Sequence, residues 1–168
     1  MKLSERLRHL VVRFVGVVRA RVDPAELTLL DEYFGPTERE LFLSMRVADQ
    51  RHSLDLCRRL QRDGHGEPDL LRAALLHDVG KAAGALPVPY RVIYSLCRLV
   101  SPNLASWLGK HERPSLVRPF YLAAHHACIG ALAAERAGSN QRVVHLIRCH
   151  DTPNDRLSFV LYRYDGEM

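Results

Sequence analysis

The chain has no apolar run long enough to span a membrane. Residues 10–18 form an apolar stretch, but Arg13 interrupts it, and it is far shorter than the roughly 18 apolar residues of a transmembrane helix. Few polar residues precede the stretch and no small-residue cleavage site follows it, so it does not resemble a secretory signal. The sequence therefore predicts a cytoplasmic protein that does not contact a membrane.

The cysteines lack the spacing of a metal site or a disulfide framework. There are four of them, widely separated and without a C-x-x-C pair. They are Cys57, Cys97, Cys128 and Cys149. We expect all four to be small core residues in a reducing compartment.

Alternating runs typical of β-strands are absent, as are internal repeats, low-complexity tracts and interdomain linkers. Leu, Ala and Arg are abundant, and Pro and Gly separate segments of helical length. Hydrophobic residues make up 47% of the 168, enough for one good core. We predict an all-α, single-domain helical bundle, in which N-terminal helices within residues 1–45 pack on a main domain formed by residues 46–168.

Capping residues locate the predicted helices. Asp23 and Pro24 begin one helix, Thr37 and Glu40 form a capping box for the next, and Gly138 and Ser139 separate two later helices. Residues 82–89 are predicted to be a loop. The predicted helices span residues 4–21, 24–34, 37–62, 67–78, 90–100, 103–110, 120–137, 139–150 and 155–168.

The formal net charge of +5 is modest, and arginines are distributed along the predicted helices. We interpret them as solvated helix faces, with attraction of an anionic substrate such as a nucleotide as the functional alternative. No nucleic-acid-binding motif is present, so nucleic acid is not an expected partner.

The adjacent pair His77-Asp78 is the most informative feature of the chain. It ends the apolar helical segment at residues 67–78, with Gly80 placed to break the helix. Histidine is the commonest protein ligand for transition metals, and a carboxylate can bridge two ions. Further histidines and an aspartate stand on other predicted helices, so the pair can be the centre of a metal cluster. They are His52, His126, His150 and Asp165.

The order of His52, His77-Asp78 and Asp165 resembles that of the HD-domain metal-dependent phosphohydrolase superfamily. The run from His77 to Lys81 is similar to the HDIG type of its phosphodiesterase branch, which includes HD-GYP proteins and small stand-alone HD proteins. The spacing from His126 to Gly130, followed by a helix-terminal His150, resembles the second-metal signature of that branch. The Gly-Tyr-Pro signature of cyclic di-GMP phosphodiesterases is absent after His150.

This resemblance implies an HD-type helical bundle that hydrolyses a phosphomonoester or phosphodiester, expected to be a nucleotide, with metal-activated water. It also implies one or two divalent ions per chain, of Mn, Fe, Mg or Ni. The implied ligands of the first ion are His52, His77, Asp78 and Asp165, and those of the second are Asp78, His126 and His150. Asp78 would bridge the ions, and Lys81 would contact a phosphate oxygen.

Several alternatives stay open at this point. Lys81 is interpreted either as a phosphate ligand or as a solvent-facing residue, and His150 either as a ligand or as a helix cap. Asp151 or Asp155 could replace Asp165. The main rival function is a catalytically degenerate HD-like regulatory or protein-interaction module, favoured by Asp151 in place of a second histidine. The apolar faces of the first two helices pack on the core or form a homodimer interface, of which the core is preferred.

Overall fold

A computed structural model describes residues 20–83, 88–110 and 118–167. The elements are a 3₁₀ helix (Pro24–Thr28), α1 (Leu29–Tyr33), α2 (Pro36–Leu43), α3 (Val47–Arg62), α4 (Pro68–Leu76), α5 (Gly80–Ala83), α6 (Val88–Val100), α7 (Pro102–Gly109), α8 (Arg118–Arg136), α9 (Gln141–Cys149) and α10 (Arg156–Gly166). No strand occurs in these ranges, which confirms the all-α prediction. None of the helices described is long and apolar enough to cross a bilayer. The helix predicted at 4–21 lies outside the described residues, apart from two non-helical positions.

Helix α4 lies at the centre of the single hydrophobic core. It packs against α1, α3, α9 and α10, and its last four residues are all buried. A helix that is apolar around most of its circumference is stable only when other elements surround it. Because α4 ends at Leu76, the polar residues His77 and Asp78 directly follow a core helix and are themselves buried. This position forces the two side chains to find polar partners inside the protein.

Helix α2 begins with a different capping box from the one that the sequence predicts. Pro36 occupies the first helical position, which makes Gly35 the N-cap residue. Glu38 accepts a hydrogen bond from the backbone N–H of Gly35 at 3.2 Å. The predicted pair of Thr37 and Glu40 is therefore wrong, because Pro36 occupies the first helical position and moves the N-cap two residues toward the N-terminus.

Three other predicted boundaries are corrected. The helix predicted at 37–62 is interrupted at residues 44–46, where the Ser44 hydroxyl donates to a backbone carbonyl three residues earlier and competes with continued helix. Of the loop predicted at 82–89, residues 82–83 belong to α5 and residues 88–89 to α6, whereas residues 84–87 lie outside the described part of the chain. The N-cap of α9 is Asn140 rather than Ser139, because the Ser139 hydroxyl donates instead to Glu38 at 2.6 Å.

The cysteines are free thiols, but the expectation that all four lie in the core is wrong. Cys57 is buried, Cys97 and Cys149 are partly exposed, and Cys128 is exposed. Cys128 lies on α8 two residues from His126 and two from Gly130, both of which are buried. Positions two apart on a helix face different directions, so Cys128 points outward.

Glu26 ties the 3₁₀ helix to α3, and we expect Glu26→Gln to lower stability in a pH-dependent way. Its carboxylate pairs with Arg51 at 2.7 Å and with Arg58. These hydrogen bonds, that of Arg51 first, lower the pKa of Glu26 from 4.5 to about 2. A lowered folded-state pKa adds stability above the unfolded pKa, and that stability is lost as pH falls through the folded pKa.

The wild type should therefore exceed Glu26→Gln by up to about 1 kcal/mol at pH 7, since the pair is partly exposed to solvent. The difference should shrink as pH falls from 4.5 to about 2. Urea denaturation across this pH range measures it, with Glu32→Gln as the control for loss of a charge. A difference that does not change with pH would contradict the assignment.

Candidate metal centre

Four buried polar side chains meet at one end of the core. His77 caps the C-terminus of α4 and Asp78 follows it, His126 lies on α8, and His150 caps the C-terminus of α9. Their exposed fractions are 0%, 3%, 6% and 1%. Such burial of ionisable groups is unusual unless they are paired or bind a metal. We refer to these four residues as the floor of the site.

Four partly exposed residues form the solvent-facing rim of the same cluster. They are His52 on α3, Lys81 on α5, Asp151 after α9, and Asp165 on α10. Their side chains are 20%, 26%, 31% and 23% exposed. The Nε2 atom of His52 lies 2.8 Å from Oδ1 of Asp165, a contact that joins α3 to α10. The site therefore has a buried floor and a rim that solvent and small molecules can reach.

The three floor histidines share one orientation. In each of them, Nδ1 contacts the backbone carbonyl oxygen of the residue three positions earlier. The distance is 2.9 Å for His77, 2.9 Å for His126 and 2.7 Å for His150. In the neutral ring Nδ1–H donates to that carbonyl, which leaves the lone pair of Nε2 directed at the cluster. A backbone hydrogen bond of this kind fixes the tautomer and the ring direction of metal-binding histidines.

Asp78 is shared between two groups of three potential ligands. The first group is His52, His77 and Asp78, the second is Asp78, His126 and His150, and the ligand atoms of each lie within 4.8 Å of one another. Oδ1 of Asp78 lies 3.6 Å from Nε2 of His77 and 3.8 Å from Nε2 of His126. Its other oxygen, Oδ2, accepts a hydrogen bond from Nζ of Lys81 at 2.6 Å.

Four polar atoms of the floor are not satisfied in the way that buried groups normally are. Nε2 of His77 and Oδ1 of Asp78 are buried without a hydrogen-bond partner. The Nε2 atoms of His126 and His150 lie 3.1 Å apart, although both are acceptors when Nδ1 carries the proton. Such groups are costly to bury, and a divalent cation at each ligand group would satisfy them. The imidazole and carboxylate donors therefore fit a metal ion at both groups.

The two carboxylates of the predicted ligand set are held in the ionised form. Burial alone would raise the pKa of Asp78, but the charges of Lys81 and His77 outweigh burial and keep it well below its usual range. Burial also opposes ionisation of Asp165, but a hydrogen bond from His52 and the nearby charge of His77 reverse that effect and lower its pKa. Ionised carboxylates are the forms that bind divalent cations.

The floor histidines differ in charge when no metal is bound. Burial disfavours the imidazolium of His77, but attraction to Asp78 and Asp165 outweighs it and raises its pKa to about 9. The carboxylates are 3.6 Å away, too far for a hydrogen bond, so the attraction is Coulombic. Burial lowers the pKa of His126 to about 4 and also lowers that of His150. The second group is therefore neutral at its nitrogens, whereas the first must release a proton to bind metal.

Gly80 sets the distance between the two halves of the cluster. A Cβ atom at Gly80 would lie 1.9 Å from the carbonyl oxygen of His126 and 2.7 Å from the backbone nitrogen of Gly130. The prediction that Gly80 breaks a helix is corrected, because the chain turns at residues 77–79 and Gly80 begins α5. Because Gly80 has no side chain, α5 can pack directly against the backbone of α8, which places Asp78 and Lys81 next to α8. Gly130 lies one helical turn after His126 on α8 and faces Gly80, so the lack of a side chain at Gly130 allows the same close approach.

The structure distinguishes between several of the sequence alternatives. His126 lies in the cluster, whereas Nε2 of His125 lies 3.1 Å from the backbone carbonyl oxygen of Gly109. Lys81 turns inward to Asp78 rather than toward solvent. His150 is both helix cap and cluster member, since its Nδ1 contacts the backbone and its Nε2 faces His126. These two interpretations of His150 are therefore compatible.

The acidic candidates near the C-terminus fall in three places. Asp165 contacts His52 and His77 of the first group. Asp155 instead caps α10 and pairs with Arg142, so it is not a substitute ligand. Asp151 faces the second group rather than replacing Asp165 in the first. The sequence does not reveal this position, because it depends on how the chain bends after α9.

No family model, curated protein or solved structure matches the chain. The likeness to the HD superfamily accordingly stays a prediction from the motif, and the case for a metal centre rests on the geometry of the cluster.

Proposed function

We propose that the chain is a metal-dependent phosphohydrolase that cleaves a phosphomonoester or phosphodiester. The observation that carries the proposal is Oδ1 of Asp78, which is buried, ionised, without a hydrogen bond and shared by two groups of ligands. Two adjacent cation sites bridged in this way are typical of enzymes that hydrolyse phosphate esters.

The floor and rim residues divide the binding of two ions between them. His52, His77, Asp78 and Asp165 would hold the first, and Asp78 with His126 and His150 the second. When bound, such ions supply a nucleophilic hydroxide at neutral pH and offset charge on the phosphate oxygens. Because the floor residues are buried in the core, a substrate would reach the ions from the solvent-facing rim.

Lys81 has two tasks in this proposal. Its ammonium group holds Oδ2 of Asp78 at 2.6 Å and so fixes the direction of Oδ1 toward the ligand groups. With 26% of its side chain exposed, Lys81 also reaches the rim, where its remaining N–H groups can donate to a phosphate oxygen. The formal charge of +5 favours an anionic substrate. A nucleotide is the substrate class that the motif resemblance suggests.

The neighbouring histidines His125 and His126 provide a matched test. His126→Gln should lose one of about two equivalents of bound metal and most of the phosphoester hydrolysis, because only His126 faces the cluster. His125→Gln should keep both, since the new amide can still donate to the carbonyl of Gly109. Elemental analysis and assays on phosphomonoester and phosphodiester substrates with Mn²⁺ measure the two properties.

Two results would contradict the proposal. Wild type that holds metal but hydrolyses no substrate of either type would indicate a regulatory or protein-interaction module. Wild type that binds no metal, even after Mn²⁺ is added, would remove the metal centre as well as the hydrolase.

A further inference from the structure

We propose that Asp151 is a ligand of the second ion and completes a centre in which both ions have matching donor sets. The proposal rests on the function proposed above, since it assumes that both groups bind metal. It adds a residue that the sequence motif does not include, at the position where the family resemblance leads one to expect a second histidine.

The two oxygens of Asp151 lie on the open side of the second group. Oδ2 is 3.6 Å from Nε2 of His126, and Oδ1 is 3.8 Å from Nε2 of His150. Both distances are too long for hydrogen bonds. Two ligand atoms that each lie about 2.1 Å from the same tetrahedral metal ion are about 3.4 Å apart. The two oxygen–nitrogen distances are close to this value.

Asp151 and Asp165 have corresponding positions in the two halves of the site. Oδ1 of Asp165 lies 2.8 Å from Nε2 of His52 and 3.6 Å from Nε2 of His77. Both aspartates belong to the rim, with 31% and 23% of their side chains exposed. Each half then contains two histidines, the shared Asp78 and one carboxylate of its own.

The local chain explains why Asp151 faces the metal groups while the next acidic residue does not. Oδ2 of Asp155 contacts the Arg142 guanidinium at 2.7 Å and Nε2 of His145 at 3.0 Å, and the Asp155 side chain also caps α10. Within the described ranges, the titratable side chains within 4.0 Å of the Asp151 carboxylate are His126 and His150, both of the second group. Asp151 directly follows His150, so the turn that ends α9 delivers two ligands to the same place.

Matching donors have a consequence for the choice of metal. Without Asp151 the second ion would have two nitrogen ligands and one oxygen, a poorer set than that of the first ion. With it, both ions have two imidazole nitrogens and two carboxylate oxygens, a mixed set that suits two ions of the same kind. A change from carboxylate to imidazole at this position would favour Zn²⁺ over Mn²⁺ at the second ion alone.

Calorimetric titration of the metal-depleted protein with Mn²⁺ tests the proposal. Asp151→Asn should weaken the second equivalent at least tenfold and leave the first unchanged. Glu135→Gln is the matched control, because it removes one negative charge from the exposed surface of α8 and should change neither. Asp151→His should keep two equivalents but raise the affinity of the second for Zn²⁺ relative to Mn²⁺.

The outcomes separate this inference from the proposed function. If Asp151→Asn bound two equivalents of Mn²⁺ with unchanged affinity, Asp151 would not be a ligand, and the proposed hydrolase would be unaffected. The same holds if Glu135→Gln lost as much affinity for the second equivalent as Asp151→Asn. A wild type that binds a single equivalent would also overturn the role of Asp151, because no second ion would exist. A wild type that binds none would overturn both.

Discussion

Asp78→Asn should remove metal from both halves of the site at once. Oδ1 of Asp78 is the atom common to the two ligand groups, so no single-histidine variant should have so broad an effect. Lys81 donates to Oδ2, so the amide oxygen of Asn should turn toward Lys81 and its NH₂ toward the inward Nε2 atoms of His77 and His126. Donors would then occupy the place of the cation. The loss of hydrolysis should exceed the roughly 10–100-fold effect typical of removing an outer partner of a metal ligand.

Elemental analysis and Mn²⁺-dependent phosphoester hydrolysis check this expectation side by side. Asp69→Asn is the control, since Asp69 lies in the first turn of α4, at the end opposite the site. Circular dichroism establishes that the variants are folded. An Asp78→Asn protein that retained two equivalents of metal would show that the ions bind elsewhere.

Gly80→Ala should have the largest effect on stability of the glycine-to-alanine substitutions in the described chain. A methyl group at this position would lie 1.9 Å from the carbonyl oxygen of His126, well inside van der Waals contact with rigid backbone. Helices α5 and α8 would have to separate, and overpacking of this kind costs about 1–3 kcal/mol or more. We expect Gly80→Ala to lie at the upper end of that range or not to fold.

Two other glycines give a graded comparison by thermal or urea denaturation. Gly130→Ala should have a smaller effect, because its nearest contact would be 3.1 Å, and Gly66→Ala should be close to neutral, because no atom lies within 4 Å. If Gly80→Ala were as stable as Gly66→Ala, the close contact between α5 and α8 would not exist in solution.

Local sequence signals were sufficient to predict the fold class and most helices. Prolines and glycines punctuate the chain where the helices start and stop, as at Asp23-Pro24 and Gly138. Errors arose where a competing signal, local in one case and from a distant residue in the other, displaced the expected cap. Thr37 looks like an N-cap, but the proline before it had already started the helix, and Ser139 is drawn away by the buried carboxylate of Glu38.

The candidate site was predictable to the extent that its residues stand at helix ends or at helical spacing. His77-Asp78 and His150 follow apolar helices, and His126 stands one turn before Gly130, so a local pattern points to each of them. Asp151 and the close contact of Gly80 have no such pattern. Both depend on how distant helices approach one another, which a single sequence does not reveal.

The contact between His52 and Asp165 joins positions 113 residues apart in the chain. Closing so long a loop is entropically costly and comes late in the folding of a helical protein, after neighbouring helices have paired. We therefore expect the complete first ion site to form only once α10 has docked, and a metal bound there would stabilise the docked helix. By mass action, metal supply would then govern how often α10 detaches from the rest of the protein, and with it the exposure of the chain to proteases.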